Sequence, residues 1–216
     1  MEQKQIIETL KKLKESSKKR NFSQAVDMIV TFKDIDMKKN ENQMTLFVNL
    51  PHSNGKDIKV CALVGPEMKE ESKSADQVVL LDEFDRYKTD KKALKKLSQD
   101  YDFFVAQANL MVQVAGAFGR VLGPKGKMPN PKAGCIVAPK TNLTPVVDRL
   151  RKSIKLQSRN TTMVQCSVGK QDMDEKQLVE NIMHVYNQIL HALPQEKNNL
   201  KHVMLKLSMS KPVKVE

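Results

Sequence analysis

Hydrophobic residues change their spacing several times along this chain, and each change marks an element. Ile6, Ile7, Leu10 and Leu13 recur at the helical interval, with Lys11, Lys12, Lys14, Lys18 and Lys19 around them. This spacing predicts an amphipathic first helix with a solvated lysine face. From Val26 the period shortens to two. Val26, Met28, Val30 and Phe32 make one side of a strand; Met44, Leu46, Val48 and Leu50 make a second that stops at Pro51; Ile58, Val60, Ala62 and Val64 make a third ending at Gly65-Pro66. Between the last two, Ser53-Asn54-Gly55 is a turn signal, because Asn and Gly tolerate positive φ. The middle has another rhythm: short apolar runs at Val78–Leu81, Phe103–Ala106 and Cys135–Ala138 alternate with helical patterns near 91–98, 109–118 and 143–153. Thr144 is expected to cap the last of these, with Pro145 at its first position and Arg149, Arg151 and Lys152 toward its C-terminal dipole. Such alternation predicts a parallel sheet covered by helices. A strand pattern returns at Met163–Val168. A helix follows through Leu178, Ile182, Val185, Ile189 and Leu193, closed by Pro194, and Val203, Leu205 and Leu207 alternate in a last strand. The chain thus reads as an α+β beginning, an α/β middle and an α+β end, and the pattern alone leaves open whether the two ends fold together.

Composition narrows the class. The 216 residues are 40% hydrophobic and 29% charged, which suits one large or two small globular domains. The formal net charge is +12, spread as +4 over 1–65, +5 over 66–154 and +3 over 155–216. A cationic surface of this size draws polyanions, and its even spread favours a nucleic-acid-binding body over a neutral domain with a basic tail. Cys61, Cys135 and Cys166 lie far apart, so neither a disulfide framework nor a CxxC metal pair is expected. The start of the chain lacks a signal-peptide pattern, and no run approaches the roughly 18 apolar residues of a membrane span. A cytoplasmic protein without membrane partners is the expectation.

Catalytic chemistry has little to stand on. The stretch Gly119 to Gly134 gathers four glycines, three prolines and four cations, and glycine-freed amides can cradle phosphate. The P-loop pattern nevertheless fails, since Val121 replaces its first glycine and Met128 the magnesium-holding Ser or Thr. Gly123-Pro124-Lys125-Gly126 also fits the GxxG of a KH domain, although Pro124 sits badly between two helices. His184 and His191 stand seven residues apart, which cannot chelate like a pair at i, i+4, so no metal site is expected. The acids Glu67, Glu70, Glu71, Asp82, Glu83 and Asp85 lie among lysines as solvated surface. No cofactor is implied, and the chain is not expected to be an enzyme. Two rivals stay open: a general RNA or DNA chaperone, and a hydrolase using the glycine-rich loop.

The run Leu122-Gly123-Pro124-Lys125-Gly126-Lys127-Met128-Pro129-Asn130 closely resembles the signature of the ribosomal protein L-one family. Asp102 to Ala108 and Arg20 to Asp27 look like its archaeal branch, and Ser208-Met209-Ser210-Lys211-Pro212 resembles its Thr-Met-Gly-x-Pro. The resemblance covers essentially the whole chain. It implies two domains: an α+β sandwich from both chain ends (1–65 and 155–216), and an inserted Rossmann-like α/β domain (66–154) joined through linkers near Gly65-Pro66 and Lys155–Ser158. It also implies a component of the large ribosomal subunit, monomeric when free. Such a protein would bind the rRNA of the mobile stalk, assist release of deacylated tRNA from the exit site and repress its own mRNA. The family's RNA contacts carry over to Arg20, Phe22 and Gln24; to Ser158, Arg159, Asn160 and Thr161, with Lys155 beside them; and to Ser208, Met209 and Ser210. Ser210 stands where the family has glycine, and its Cβ would strain a positive-φ backbone or crowd the RNA. The loop residues Gly123, Pro124, Lys125, Gly126, Lys127, Met128 and Pro129 are expected to be structural or a secondary RNA contact.

Overall fold

The structure is a computed structural model, and it describes residues 2–18, 20–35, 43–158 and 161–215. The chain divides into two compact units, Met1–Lys56 with Lys152–Glu216, and Asp57–Arg151.

In the first unit, helix α1 (Gln3–Ser16) buries Ile6, Leu10 and Leu13, the stripe that its periodicity announces. Strand β1 (Ala25–Phe32) alternates strictly between buried and half-buried positions. It lies between β8 (Met163–Lys170) and β9 (Leu200–Leu207), antiparallel to both, and β10 (Val213–Lys214) extends the sheet beyond β9. The 18-residue helix α6 (Glu175–Ala192) buries Leu178, Ile182, Val185 and Ile189. These pack in one core with Val26, Met28, Val30, Val203, Leu205 and Leu207, so both helices cover the same face of the sheet, and among the described residues no helix covers the other (the open face). A separate antiparallel pair, β2 (Met44–Asn49) with β7 (Ser153–Ser158), adds Val48, Ile154 and Leu156 to that core. The segment Lys155–Ser158, expected as a linker, is therefore strand.

The second unit is a parallel sheet in the order β4 (Gln77–Leu80), β3 (Val60–Val64), β5 (Phe103–Gln107), β6 (Ile136–Val137). All five residues of β3 are buried, as a strand covered on both faces requires. The sequence reading placed this strand with the chain ends. Its hydrogen bonds instead go to β4 and β5, so the change of unit falls at Lys56/Asp57 and not at Gly65-Pro66. Helices α2 (Phe84–Thr89), α3 (Lys91–Asp100) and α4 (Met111–Leu122) supply a core with Leu63, Val79, Phe104 and Ala106, and α5 (Thr144–Arg151) leads back to the first unit. Thr144 is the first helical residue rather than the cap, and Asn142 reaches forward to accept its N–H at 3.0 Å. Gly55 takes φ +73°, as the Asn-Gly signal demands, but the turn leads out of one sheet toward another instead of closing a hairpin. No helix among the described residues is long and apolar enough to cross a membrane.

Candidate functional site

Two of the three segments singled out by the sequence meet at one end of the antiparallel sheet. Val26 stands opposite Leu207, which sets residues 20–24 beside 208–210. Ser208 N–H donates to the Ala25 carbonyl at 3.1 Å and its Oγ accepts from Ala25 N–H at 3.1 Å, continuing the ladder past the strand end. Gln24 is buried, 2% exposed, and its Oε1 accepts from Met209 N–H at 3.1 Å. The Gln24 carbonyl accepts from Gln171 N–H at 2.9 Å, tying in the end of β8. Ser210 closes the turn: its N–H donates to the Leu207 carbonyl at 3.0 Å, and its Oγ accepts from Leu207 N–H at 2.8 Å. The strain expected from a side chain in place of the family glycine does not arise. The non-glycine residues at positive φ, among those described, are Asp34, Lys140 and Glu196. Ser210 bonds its own turn instead.

The result inverts the usual burial. Gln24 and Ser208 spend their polar groups inward, while Phe22 and Met209 stand 52% and 64% exposed. Full burial of one such side chain is worth about 1.5–3 kcal/mol, so a fold that turns a ring and a thioether outward forgoes part of that gain at this end. Arg20 is exposed beside them.

The second segment does not join this cluster. Ala25 pairs with Lys170 but Thr31 with Met163, so residues preceding Met163 lie at the far end of β8, about 20 Å of strand away. There Ser158 is buried and its Oγ donates to the Thr161 carbonyl at 2.5 Å, while the exposed Thr161 donates to the Met163 carbonyl at 3.3 Å. Lys155 is on the outward face of β7, opposite Phe47. Arg159 and Asn160 lie outside the described residues.

What connects the two ends is the open sheet face, which sequence reasoning passed over. Reading across the register, His202, Thr31 and Met163 form one row. Lys214, Met204, Ile29 and Gln165 form the next, and Lys206, Asp27 and Ser167 a third. Gln165 donates to Asp27 at 3.2 Å, and Thr31 Oγ1 to the His202 carbonyl at 3.1 Å. Desolvation, with Lys214 and Lys201 nearby, holds the His202 imidazole below the ordinary histidine range and so neutral near pH 7. The signal was present in the sequence as the half-buried alternate of each strand, but alternation names a solvent side without saying that it is used.

The glycine-proline loop belongs to the other unit. Lys127 Nζ donates to the Ser98 and Tyr101 carbonyls at 3.0 and 2.6 Å, and Lys125 Nζ to Ser98 Oγ at 2.6 Å. Both ammonium groups thus sit on the C-terminal turn of α3, where the helix dipole favours cations. Gly126 takes φ +63°, Lys127 N–H donates to the Leu122 carbonyl at 3.0 Å, Met128 packs on the core and Pro129 is buried. Gly123 and the exposed Pro124 lead into this turn from α4. This is the wiring of a clamp between α3 and α4. Lys127→Met is expected to lose about 1–3 kcal/mol in urea unfolding while leaving RNA affinity within twofold. A drop in RNA affinity matching that of Phe22→Ala would make the loop a contact instead.

The place where doubly wound sheets take ligands, the crevice beyond the carboxyl ends of neighbouring strands, is filled here by Gln107. Its Oε1 accepts from Gly65 N–H at 3.1 Å and its Nε2 donates to Glu67 at 2.6 Å, which brings a carboxylate to where a nucleotide would place phosphate. All three thiols are buried, and desolvation pushes each up, Cys135 to about 11. No group of three or more His, Cys, Asp or Glu side chains among the described residues could hold a metal ion.

Residues 11–211 match the family model described as the ribosomal protein L1p/L10e family. Similar proteins over nearly the full length carry the name "Large ribosomal subunit protein uL1". That of Methanothermobacter thermautotrophicus is 38% identical, covering 99% of both chains. That of Thermococcus kodakarensis is 37% identical over 98% of this chain and 96% of its own. That of Thermofilum pendens is 39% identical over 93% and 87%.

Proposed function

The chain belongs to the ribosomal protein L1p/L10e family, and from that premise we propose that its first unit binds the stalk rRNA of the large ribosomal subunit through the sheet end bearing Phe22 and Met209. The coarser statement needs no proposal: this is a structural protein of the large ribosomal subunit and not an enzyme. The observation that carries the finer one is the inverted end of the sheet, where Gln24 and Ser208 anchor the backbone so that Phe22 and Met209 face outward. An exposed ring can stack on a base or ribose, and a thioether can pack against sugar. In this reading Gln24, Ser158 and Ser208 are positioning residues. Arg20 and Lys155 supply charge, Thr161 marks the distant end of the same surface, and Arg159 and Asn160 are further contacts that the family resemblance implies. The polar open face between suits 2′-hydroxyls and phosphates across a shallow minor groove. Assistance to deacylated tRNA leaving the exit site, and repression of its own mRNA through a fold like that of the stalk, complete the proposal.

The test is a binding titration across salt, comparing a stalk rRNA fragment with an unrelated duplex of equal length. Non-specific phosphate binding falls with a slope of about 0.9 per neutralised phosphate, so stalk RNA held at salt that strips the control supports a defined site. Phe22→Ala and Met209→Ala should each weaken stalk binding about tenfold, within the ~1–3 kcal/mol of a stacking contact, and Lys12→Ala by less than twofold. Equal losses from all three, or no discrimination between the RNAs, would leave a general RNA chaperone as the better description.

A further inference from the structure

Sulfur in this chain is sorted by position. All three thiols are buried, and burial keeps them protonated, whereas the thiolate is the form an oxidant attacks. Thioethers need no ionisation and react wherever they can be reached. Met28, Met44 and Met68 are buried, and Met111, Met128 and Met183 pack half-buried against the two cores. The exposed methionines among the described residues are Met163, at 43%, and Met209. They stand at opposite ends of the surface read above as RNA-binding. A surface methionine commonly oxidises without consequence, but two features of Met209 go further. The turn that carries it is held by groups other than its side chain: Gln24 Oε1 takes Met209 N–H, and the hydroxyls of Ser208 and Ser210 accept from Ala25 and Leu207. A change at the sulfur therefore leaves the fold in place and alters only what the side chain presents. The same two hydroxyls also face carbonyls, that of Ala25 at 3.5 Å and that of Lys211 at 3.1 Å. An oxygen added to the sulfur finds no spare hydroxyl proton in its own turn.

We propose that Met209 is a reversible oxidation site whose sulfoxide weakens the hold on stalk RNA. The assignment rests on the RNA-binding reading above. Hydrogen peroxide is the oxidant: the sulfur lone pair takes one peroxide oxygen and the O–O bond breaks. The hydroxide that leaves carries off the proton of the transferred oxygen as water. Sulfur is oxidised by two electrons and the peroxide reduced by two. Methionine sulfoxide reductases reverse the step, with two thiols becoming a disulfide and the oxygen leaving as water. Against a ribose the thioether packs with no polar atom to desolvate. The sulfoxide oxygen must shed its water there without a replacement donor from the turn, and it brings the negative end of its dipole to a polyanion.

The full chain is treated with hydrogen peroxide, free and saturated with the stalk rRNA fragment, and the oxygen gained at each methionine is mapped by peptide mass spectrometry. In the free protein Met209 and Met163 are expected to oxidise at least tenfold faster than Met28, Met44 and Met68, and bound RNA should slow Met209 about tenfold. Stalk-RNA affinity should fall about tenfold as Met209 is oxidised, and return after treatment with both reductases, one for each sulfoxide epimer. Met209→Leu keeps an apolar contact, so it should bind RNA within twofold of wild type and hold that affinity in peroxide. Met163→Leu should still lose it. Met209 oxidising no faster than Met28 overturns the site. Full oxidation of Met209 with unchanged affinity, or protection by Met163→Leu and not by Met209→Leu, overturns its control of RNA binding. If unoxidised protein fails to prefer stalk RNA over the duplex, the functional reading falls and that control falls with it, while the peptide map still decides whether Met209 is an oxidation site.

Discussion

Phe118→Ala is expected to lower the stability of the parallel-sheet unit by about 3–5 kcal/mol, among the largest single-residue losses available in this chain. Phe118 is fully buried on α4. Its ring meets Phe84 edge-on at 5.1 Å with planes at 88°, and Tyr87 at 5.5 Å. Only 5% of the chain is aromatic, and three of those rings gather at this one place. Truncation removes the ring's transfer energy and leaves a cavity whose other walls are held by α2 and the sheet, so little collapse can fill it. The edge-on pair adds about 0.5–1.5 kcal/mol beyond its area. Hydrogen exchange during a urea titration reads this directly: amides of Phe103–Gln107 should lose protection at lower urea in the variant, and those of Ala25–Phe32 should not. Stalk-RNA affinity in dilute buffer should stay within twofold, because Phe22 and Met209 are carried by the other unit. A stability loss under 1 kcal/mol would mean that the cluster repacks freely.

Much of this arrangement was legible because burial here follows periodicity. Helix α1 and strand β1 place Leu10, Leu13, Val26, Met28 and Val30 inward as their spacing requires. The misplaced boundary was legible too. Reading Ile58, Val60, Ala62 and Val64 as an alternating strand passed over Cys61 and Leu63, which make the run continuously apolar and so mark a strand buried on both sides. Helix α2 was missed because its six residues are too few to display a period. The site was legible only in part. Segment resemblance singled out Phe22 and Met209, which the fold leaves exposed, but composition cannot distinguish a glutamine on the surface from one that, like Gln24, is buried to hold the neighbouring turn. Nor can it give register, which separates Thr161 from Phe22 by the length of a strand and makes Asp27, Gln165 and Lys206 neighbours.

Asn181→Leu should be the most damaging near-isosteric change in the first unit, at about 3–5 kcal/mol. In sequence Asn181 merely interrupts the apolar stripe of α6; in the fold it is fully buried with three hydrogen bonds, all to backbone. Its Oδ1 accepts from His52 N–H at 3.0 Å, and its Nδ2 donates to the carbonyls of His52 at 3.0 Å and Val168 at 2.9 Å. Val168 is the residue left over where the register slips: Val26 pairs with Gly169 and Asp27 with Ser167. A bulge of this kind leaves its extra residue outside the ladder, and the Asn181 amide takes up its carbonyl. Leucine fills the volume but leaves a donor and two acceptors without this partner, each at about 1–3 kcal/mol if no water reaches them. The damage should also travel to function. The bulge residue Val168 lies two residues before Lys170 and three before Gln171, and Gln171 N–H holds the carbonyl of Gln24, whose side chain holds Met209 N–H. In the folded variant, studied at low temperature, stalk-RNA affinity should therefore fall by about tenfold, and Asn181→Asp should recover part of the stability through the His52 N–H alone. If Asn181→Leu binds RNA like the wild type despite its lost stability, the sheet end does not depend on the bulge, and the geometry of Gln24 and Met209 is held from β1 and β9 only.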